Sequence, residues 1–248
     1  MPETAPEDVD DERSPDDPDD PDDGGDGPED HTGALDDLAG RYFLDLAAAF
    51  VRGRRADAPD LPAAGLVAWG RQAGLRVHKF KRNAGLPRVH KVLGMLRGLG
   101  PQSLLDVGSG RGTFLWPLLD AFPYLRVTAV DVNPVRVRDL DAVRAGGIER
   151  LDVVQADVCA LDRPPRSVDG VTLLEVLEHI PDPAAAAGRA LRAARSFAIV
   201  SVPSREDDNP EHIHLFDAGR LDALLREAGA TSVRIDHVLN HMIALARL

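Results

Sequence analysis

The chain of 248 residues predicts an α/β fold: a doubly wound, seven-stranded, mostly parallel sheet with an antiparallel last strand. Three observations predict it. From Leu104 onward, apolar runs of strand length alternate with helical stretches, which builds crossover units and a sheet covered on both faces. The first run breaks through Gly108, Gly110 and Gly112 into a helical pattern. The last two runs are separated only by Leu239-Asn240-His241, too short for a crossover helix, so they form an antiparallel hairpin.

Residues 1–33 read as an acidic, disordered tail. Met1–Asp30 carries 15 of the 41 acidic residues and one of the 29 basic ones, Arg13. Asp, Pro and Gly offer too little apolar surface to offset the entropy of ordering. The rest of the chain is nearly neutral, with 28 basic and 26 acidic residues. The tail is either a solubilising appendage or an electrostatic arm that shields a basic surface of its own domain.

Residues 34–100 read as a helical, basic cap. Leu35, Leu38, Tyr42, Phe43, Leu46 and Phe50 recur at helical spacing within 34–57, and Leu61–Gly74 and Pro87–Leu99 are two further short helices. No acidic residue lies between Asp60 and Asp106. Arg71, Arg76, Lys79, Lys81, Arg82, Arg88, Lys91 and Arg97 all fall there. Such a block is either a solvated helical face or a surface for phosphates, as in nucleic-acid binding or an anionic small acceptor. Only Trp69 and Phe80 interleave it, so stacking on single strands is not signalled.

Residues 101–248 carry the sheet. The strand runs are Leu104–Val107, Val127–Val130, Val153–Ala156, Val168–Leu174, Phe197–Val202, Val233–Val238 and Met242–Ala246. The helices between them are Thr113–Phe122, Pro134–Ala145, Pro183–Ala193 and Asp217–Ala228. Cys159 is the only cysteine, which excludes disulfides within the chain and cysteine-based zinc sites. No window has the 18 or more consecutive apolar residues of a membrane span, and the N-terminus is acidic, unlike a signal or transit peptide. The chain therefore reads as soluble and cytoplasmic, with its oligomeric state open.

Open α/β sheets bind ligands beyond the carboxyl ends of their strands. Asp106 lies in the exit of the first strand, Asp131 ends the second, and Asp157 ends the third. A carboxylate at Asp131, shortly after the glycine turn, has the spacing of a ribose ligand, and one at Asp157 is placed to accept from an adenine amino group. The glycines read G-x-G-x-G, not the G-x-G-x-x-G of nicotinamide sites. Asp106, two residues before Gly108, sits badly against a pyrophosphate and suits a cationic or amino-acid-bearing cofactor.

With these residues in order, roughly Gly94 to Leu248 resembles the class I S-adenosylmethionine-dependent methyltransferases, which have a Rossmann-like fold. The matching residues are Asp106, Gly108, Gly110 and Gly112, then Asp131, Asp157 and Val168–Glu175, with the reversed last strand. The resemblance implies that the glycine turn faces the methionine part of S-adenosylmethionine, that Asp131 holds the ribose, and that Asp157 lies by the adenine. One departure is Ala193-Ala194-Arg195-Ser196, where many members carry an Arg-Pro-Gly-Gly-like turn.

On the acceptor side the fourth strand runs into Glu175-Val176-Leu177-Glu178-His179, and the fifth into Glu211-His212-Ile213-His214-Leu215-Phe216. Glu175 and Glu178 share a face of a helical turn. With His179 and His212 or His214 they offer two carboxylates and two imidazoles, a donor set for Mn²⁺ more than Mg²⁺. The pattern resembles small-RNA 3′-terminal 2′-O-methyltransferases, whose later histidine precedes an aromatic by two residues, as His214 precedes Phe216. It also resembles ubiquinone-pathway O-methyltransferases. The expected catalytic and metal set is thus Glu175, Glu178, His179 and His214, with His237 and His241 read as surface histidines. The expected activity is metal-assisted O-methylation of an anionic or hydroxyl-bearing acceptor, either a small molecule or RNA, with no membrane partner. Two alternatives stand beside it: a metal-independent small-molecule methyltransferase using His179 or His214 as base, and a non-catalytic, S-adenosylmethionine-binding regulatory protein.

Overall fold

The computed structural model describes residues 40–82, 85–206 and 208–248. The acidic tail expected over 1–33 lies outside the described residues, as do Leu35 and Leu38 of the first expected helix.

Three helices come first: α1 (Leu44–Arg54), α2 (Ala63–Gln72) and α3 (Pro87–Leu99). They are followed by β1 (Ser103–Val107), α4 (Leu115–Ala121), β2 (Arg126–Asp131), α5 (Pro134–Ala145), β3 (Leu151–Gln155) and β4 (Val168–Leu174). The chain ends with α6 (Pro183–Ala193), β5 (Ala194–Pro203), α7 (Ala218–Glu227), β6 (Ser232–Val238) and β7 (His241–Arg247).

Helix starts are set by local chemistry. Asn133 and Asp182 accept from backbone N–H groups of the first turns of α5 and α6, and in both a proline follows in the position whose N–H needs no partner. Asp217 caps α7 through Arg220 N–H at 2.7 Å. Helix α3 starts at Pro87 and stops at Gly100, which is left-handed at φ +61°. Most boundaries shift by a residue or two from the sequence expectation, and two of them have a local reason. Helix α4 begins at Leu115, after the glycine turn has finished, which places Pro117 in its first turn where it is tolerated. Strand β5 begins at Ala194, directly after α6, with no intervening loop.

The sheet order is β3-β2-β1-β4-β5-β7-β6. The first five strands pair in parallel, and β7 pairs antiparallel with both β5 and β6. The chain winds outward from β1 to β3, then returns to the other side with β4. The switch point is therefore the crevice beyond the carboxyl ends of β1 and β4, where such sheets take their ligands.

Alternate side chains feed two cores. Leu104, Val127, Ala129, Phe197, Ile199 and Ile243 join the core under α1, α3 and α4. Leu105, Val130, Leu173, Ala198, Val200 and Ala244 join the one under α6 and α7. Helix α1 packs hard against α5: a Cβ added at Gly146 would lie 1.8 Å from the Ala49 carbonyl oxygen, and one at Gly53 2.0 Å from that of Ala142. The N-terminal helices thus form part of the wall of the sheet. Among the described residues, no helix is long and apolar enough to cross a membrane.

The acid-free stretch is bound into this wall. Lys79 pairs with Asp139 and lies over the Phe50 ring. Arg82 makes two 3.0 Å bonds to Asp120 and covers Phe43, and Lys91 pairs with Asp236 at 2.9 Å. The carboxylates missing from the local sequence arrive from later elements.

Candidate active site

The turn after β1 is held by its neighbours before any ligand is considered. Gly108, Gly110 and Gly112 have φ of +71°, +56° and +87°, a region that costs other residues roughly 1–2 kcal/mol. Gly108 N–H and Ser109 N–H donate to the Val130 carbonyl of β2 at 2.8 and 3.2 Å. A Cβ on Gly108 would fall 2.5 Å from Val176, and one on Gly112 2.0 Å from the Trp116 ring, whereas one on Gly110 would meet only the Gly108 carbonyl oxygen at 3.8 Å. Trp116 also donates its indole N–H to the Arg111 carbonyl at 2.8 Å. The turn is a rigid cradle with one open face.

Asp131 is 4% exposed. It accepts from Gly110 N–H at 2.8 Å and from Asn133 N–H at 2.9 Å, so the carboxylate expected to hold a ribose also ties the glycine turn to β2. Asp157 is exposed and caps the short 3-10 turn Val158–Ala160 through Cys159 N–H at 2.8 Å. Its place beyond β3 is the one expected from the sequence.

Asp106 faces inward at 3% exposure. Its Oδ1 accepts from the Thr172 hydroxyl at 2.7 Å, while Oδ2 is buried with no hydrogen-bond partner among the described residues. Burial pushes its pKa up to about 6, against the lowering effect of the Thr172 and Ser109 hydrogen bonds, and the Asp131 charge pushes in the same direction as burial. An anion with an unused oxygen beside an open cradle fits a cationic ligand such as S-adenosylmethionine.

A carboxyl raised on folding binds a proton that the unfolded chain, with a pKa near ~3.9, does not. Asp106 therefore lowers stability as pH rises from about 4 to about 6, by on the order of 3 kcal/mol. Asp106→Asn is expected to match the wild type near pH 4 and exceed it in stability at pH 7.5, as read by urea denaturation without ligand. Equal stability at both pH values would remove this role.

The acceptor-side residues divide into two groups. Glu178 is 0% exposed, and its ligand oxygen, a ring nitrogen of His179 and one of His212 all lie within 4.8 Å of one another. His179 Nδ1 faces the Glu211 carbonyl at 3.1 Å. A carbonyl only accepts, so Nδ1 carries the proton and Nε2 keeps its lone pair, the arrangement metal-binding histidines use. Backbone N–H groups of Ile213 and His214 donate to the Glu178 carbonyl, fastening the loop after β5 to the Leu177–His179 turn.

Glu175 and His214, both in the expected set, stand outside this cluster. Both ring nitrogens of His214 are engaged: Nε2 donates to the Ile180 carbonyl at 3.0 Å, and Nδ1 accepts from Arg220 at 3.3 Å. It struts the loop, and His212 takes the place expected for it. Glu175 accepts from the Ser201 hydroxyl at 2.5 Å with one oxygen and meets His241 Nε2 at 3.0 Å with the other. His241, read from the sequence as a surface histidine, is therefore a partly buried partner of the rim. Nothing in its local sequence signals this, since the register of β7 against β5 puts it there.

Comparison with known proteins agrees with this geometry. Residues 105–197 match a family model described as a methyltransferase domain. The chain is 32% identical over 88 residues to the ubiquinone biosynthesis O-methyltransferase of Cupriavidus pinatubonensis, covering 36% of this chain and 35% of the relative. It thus spans about a third of the length of that curated relative. Its fold is similar to an O-methyltransferase family protein from Burkholderia thailandensis (TM-score 0.55, 17% identity, 65% of this chain and 55% of that one). It is also similar to PigF solved with SAH (TM-score 0.56, 20% identity, 66% and 56%). The segment 105–197, with its strand order and its glycine turn flanked by three carboxylates, is thus similar to a methyltransferase domain.

Proposed function

We propose that the protein methylates a hydroxyl oxygen of a small-molecule acceptor, using S-adenosylmethionine bound at the glycine turn and a divalent cation held by Glu178, His179 and His212. The observation that carries this reading is the convergence of those three side chains on the rim beside the cradle. One carboxylate and two imidazoles form a donor set suited to Mn²⁺ and less to Mg²⁺. A cation there would supply Lewis-acid polarisation of the acceptor hydroxyl. The sulfonium supplies an already reactive methyl group, so the protein's share is to align the acceptor and exclude water.

Asp131 and Asp157 are assigned to the ribose and the adenine, and Asp106 to the charge of the methionine end. The small-molecule acceptor is favoured over RNA because three of the eight basic side chains of the acid-free stretch, Lys79, Arg82 and Lys91, are committed to Asp139, Asp120 and Asp236.

The test uses methyl-labelled S-adenosylmethionine and a cell extract divided into small-molecule, RNA and protein pools. Label is expected in the small-molecule pool, lost with chelator and restored by Mn²⁺. Full transfer in chelator would remove the cation, and label in the RNA pool would replace the acceptor.

A further inference from the structure

We propose that His241 is the base that takes the proton of the acceptor hydroxyl, with Glu175 as the positioning residue that fixes its tautomer. The proposal rests on the methyl-transfer reading above and adds two residues that lie outside the Glu178–His179–His212 cluster.

The geometry comes first. Glu175 follows the last residue of β4 and has φ +58°, a strained conformation for a residue with a side chain, of the kind that collects at functional sites. Its neighbour Val176 rests on Gly108, so the strained residue adjoins the one that touches the cradle. Glu175 N–H donates to the Ser201 carbonyl at 3.0 Å, which fixes the backbone against β5. His241 opens β7 opposite Pro203, the last residue of β5. Strands are spaced about 4.8 Å apart, so His241 stands roughly 10 Å across the rim from the end of β4 and Glu175 reaches over to it.

The tautomer follows from the partners. Burial acts to raise the pKa of Glu175, but the hydrogen bonds from His241 and Ser201, with the charge of Arg88, outweigh it and hold the carboxyl below its usual range. Glu175 is therefore an acceptor only, and the hydrogen at their 3.0 Å contact belongs to His241 Nε2. That leaves Nδ1 with the lone pair, and it has no hydrogen-bond partner among the described residues. His241 contacts Glu175 and pairs in register with Pro203 of β5 and Val238 of β6, while Ser201 of β5 and Arg88 of α3 act on Glu175.

In the step, the acceptor O–H bond breaks and its proton passes to Nδ1 of His241. The hydroxyl oxygen forms its bond to the methyl carbon as the S–CH₃ bond breaks onto sulfur, leaving the neutral thioether. The imidazolium so formed faces the Glu175 carboxylate, which stabilises it, and releases its proton to water afterwards.

The experiment combines three readings on the full chain. Long-range ¹H–¹⁵N spectra of histidine-labelled protein at pH 8 are expected to show His241 protonated on Nε2, with Glu175→Gln mixing the tautomers. His241→Gln keeps an N–H donor near the Nε2 position, so the hairpin contact survives while the base is lost. It is expected to bind S-adenosylhomocysteine like the wild type in calorimetry, yet transfer label to the extract pools at least ~100-fold more slowly. A proton on Nδ1, or wild-type transfer by His241→Gln, overturns the proposal. If the wild type binds no S-adenosylhomocysteine, the methyl-transfer reading falls instead, and the tautomer result still decides whether the pair is built as stated.

Discussion

Gly112→Ala is expected to lose about 3 kcal/mol or more of stability and all measurable donor binding. Two costs coincide at this residue. Its φ of +87° is unfavourable for alanine, and the new Cβ would sit 2.0 Å from the Trp116 indole. The indole has little room to retreat. It is 2% exposed, its N–H is bonded to the Arg111 carbonyl, and it packs against Phe80 at a ring separation of 4.8 Å. The turn must move instead, and with it the Gly110 N–H that Asp131 holds. Gly110→Ala is the control. It carries the same kind of backbone strain, but its Cβ would meet nothing nearer than the Gly108 carbonyl oxygen at 3.8 Å. Its stability loss should be about 1 kcal/mol. Thermal melting of both variants reads the difference, and equal losses would show that the indole is not the wall described.

Asp131→Ala is expected to weaken donor binding at least ~100-fold, through two effects that add. Each bond from a backbone N–H to a charged group contributes roughly 1.5–3 kcal/mol. Alanine strands the N–H groups of Gly110 and Asn133, so the cradle loosens before any ligand arrives. The carboxylate proposed for the ribose is lost as well. Asp131→Asn separates the two effects, since its amide oxygen retains one of the backbone bonds. Its affinity should fall between those of the wild type and Asp131→Ala. Calorimetry with S-adenosylhomocysteine reads all three, and unchanged affinity in Asp131→Ala would take Asp131 out of the site.

The parts of this molecule written locally in the sequence are the ones the sequence disclosed. Alternating apolar runs, proline and asparagine at helix starts and three glycines after β1 each act within a few residues. They set the doubly wound sheet and its final hairpin. What depends on distant partners was hidden. The stretch without acids looked like an unpaired basic face because Asp120, Asp139 and Asp236 reach it only through folding. Spacing before Phe216 pointed to His214 over His212, but the choice is made by Arg220 and the Ile180 carbonyl, which capture both nitrogens of His214. Glu175 looked like a partner of Glu178 because three residues put them on one helical face. The chain instead turns left-handed at Glu175, and that single backbone angle sends the two carboxylates to different partners.

The central claim is that the glycine turn with Asp106 and Asp131 is the site of the methyl donor. It is tested most directly by titrating S-adenosylhomocysteine into ¹⁵N-labelled protein. One-site binding is predicted, with amide shifts concentrated at Gly108–Gly112 and Asp131–Asn133 and abolished by Asp131→Ala. No shifts at these residues, or the same shifts in Asp131→Ala, would contradict it.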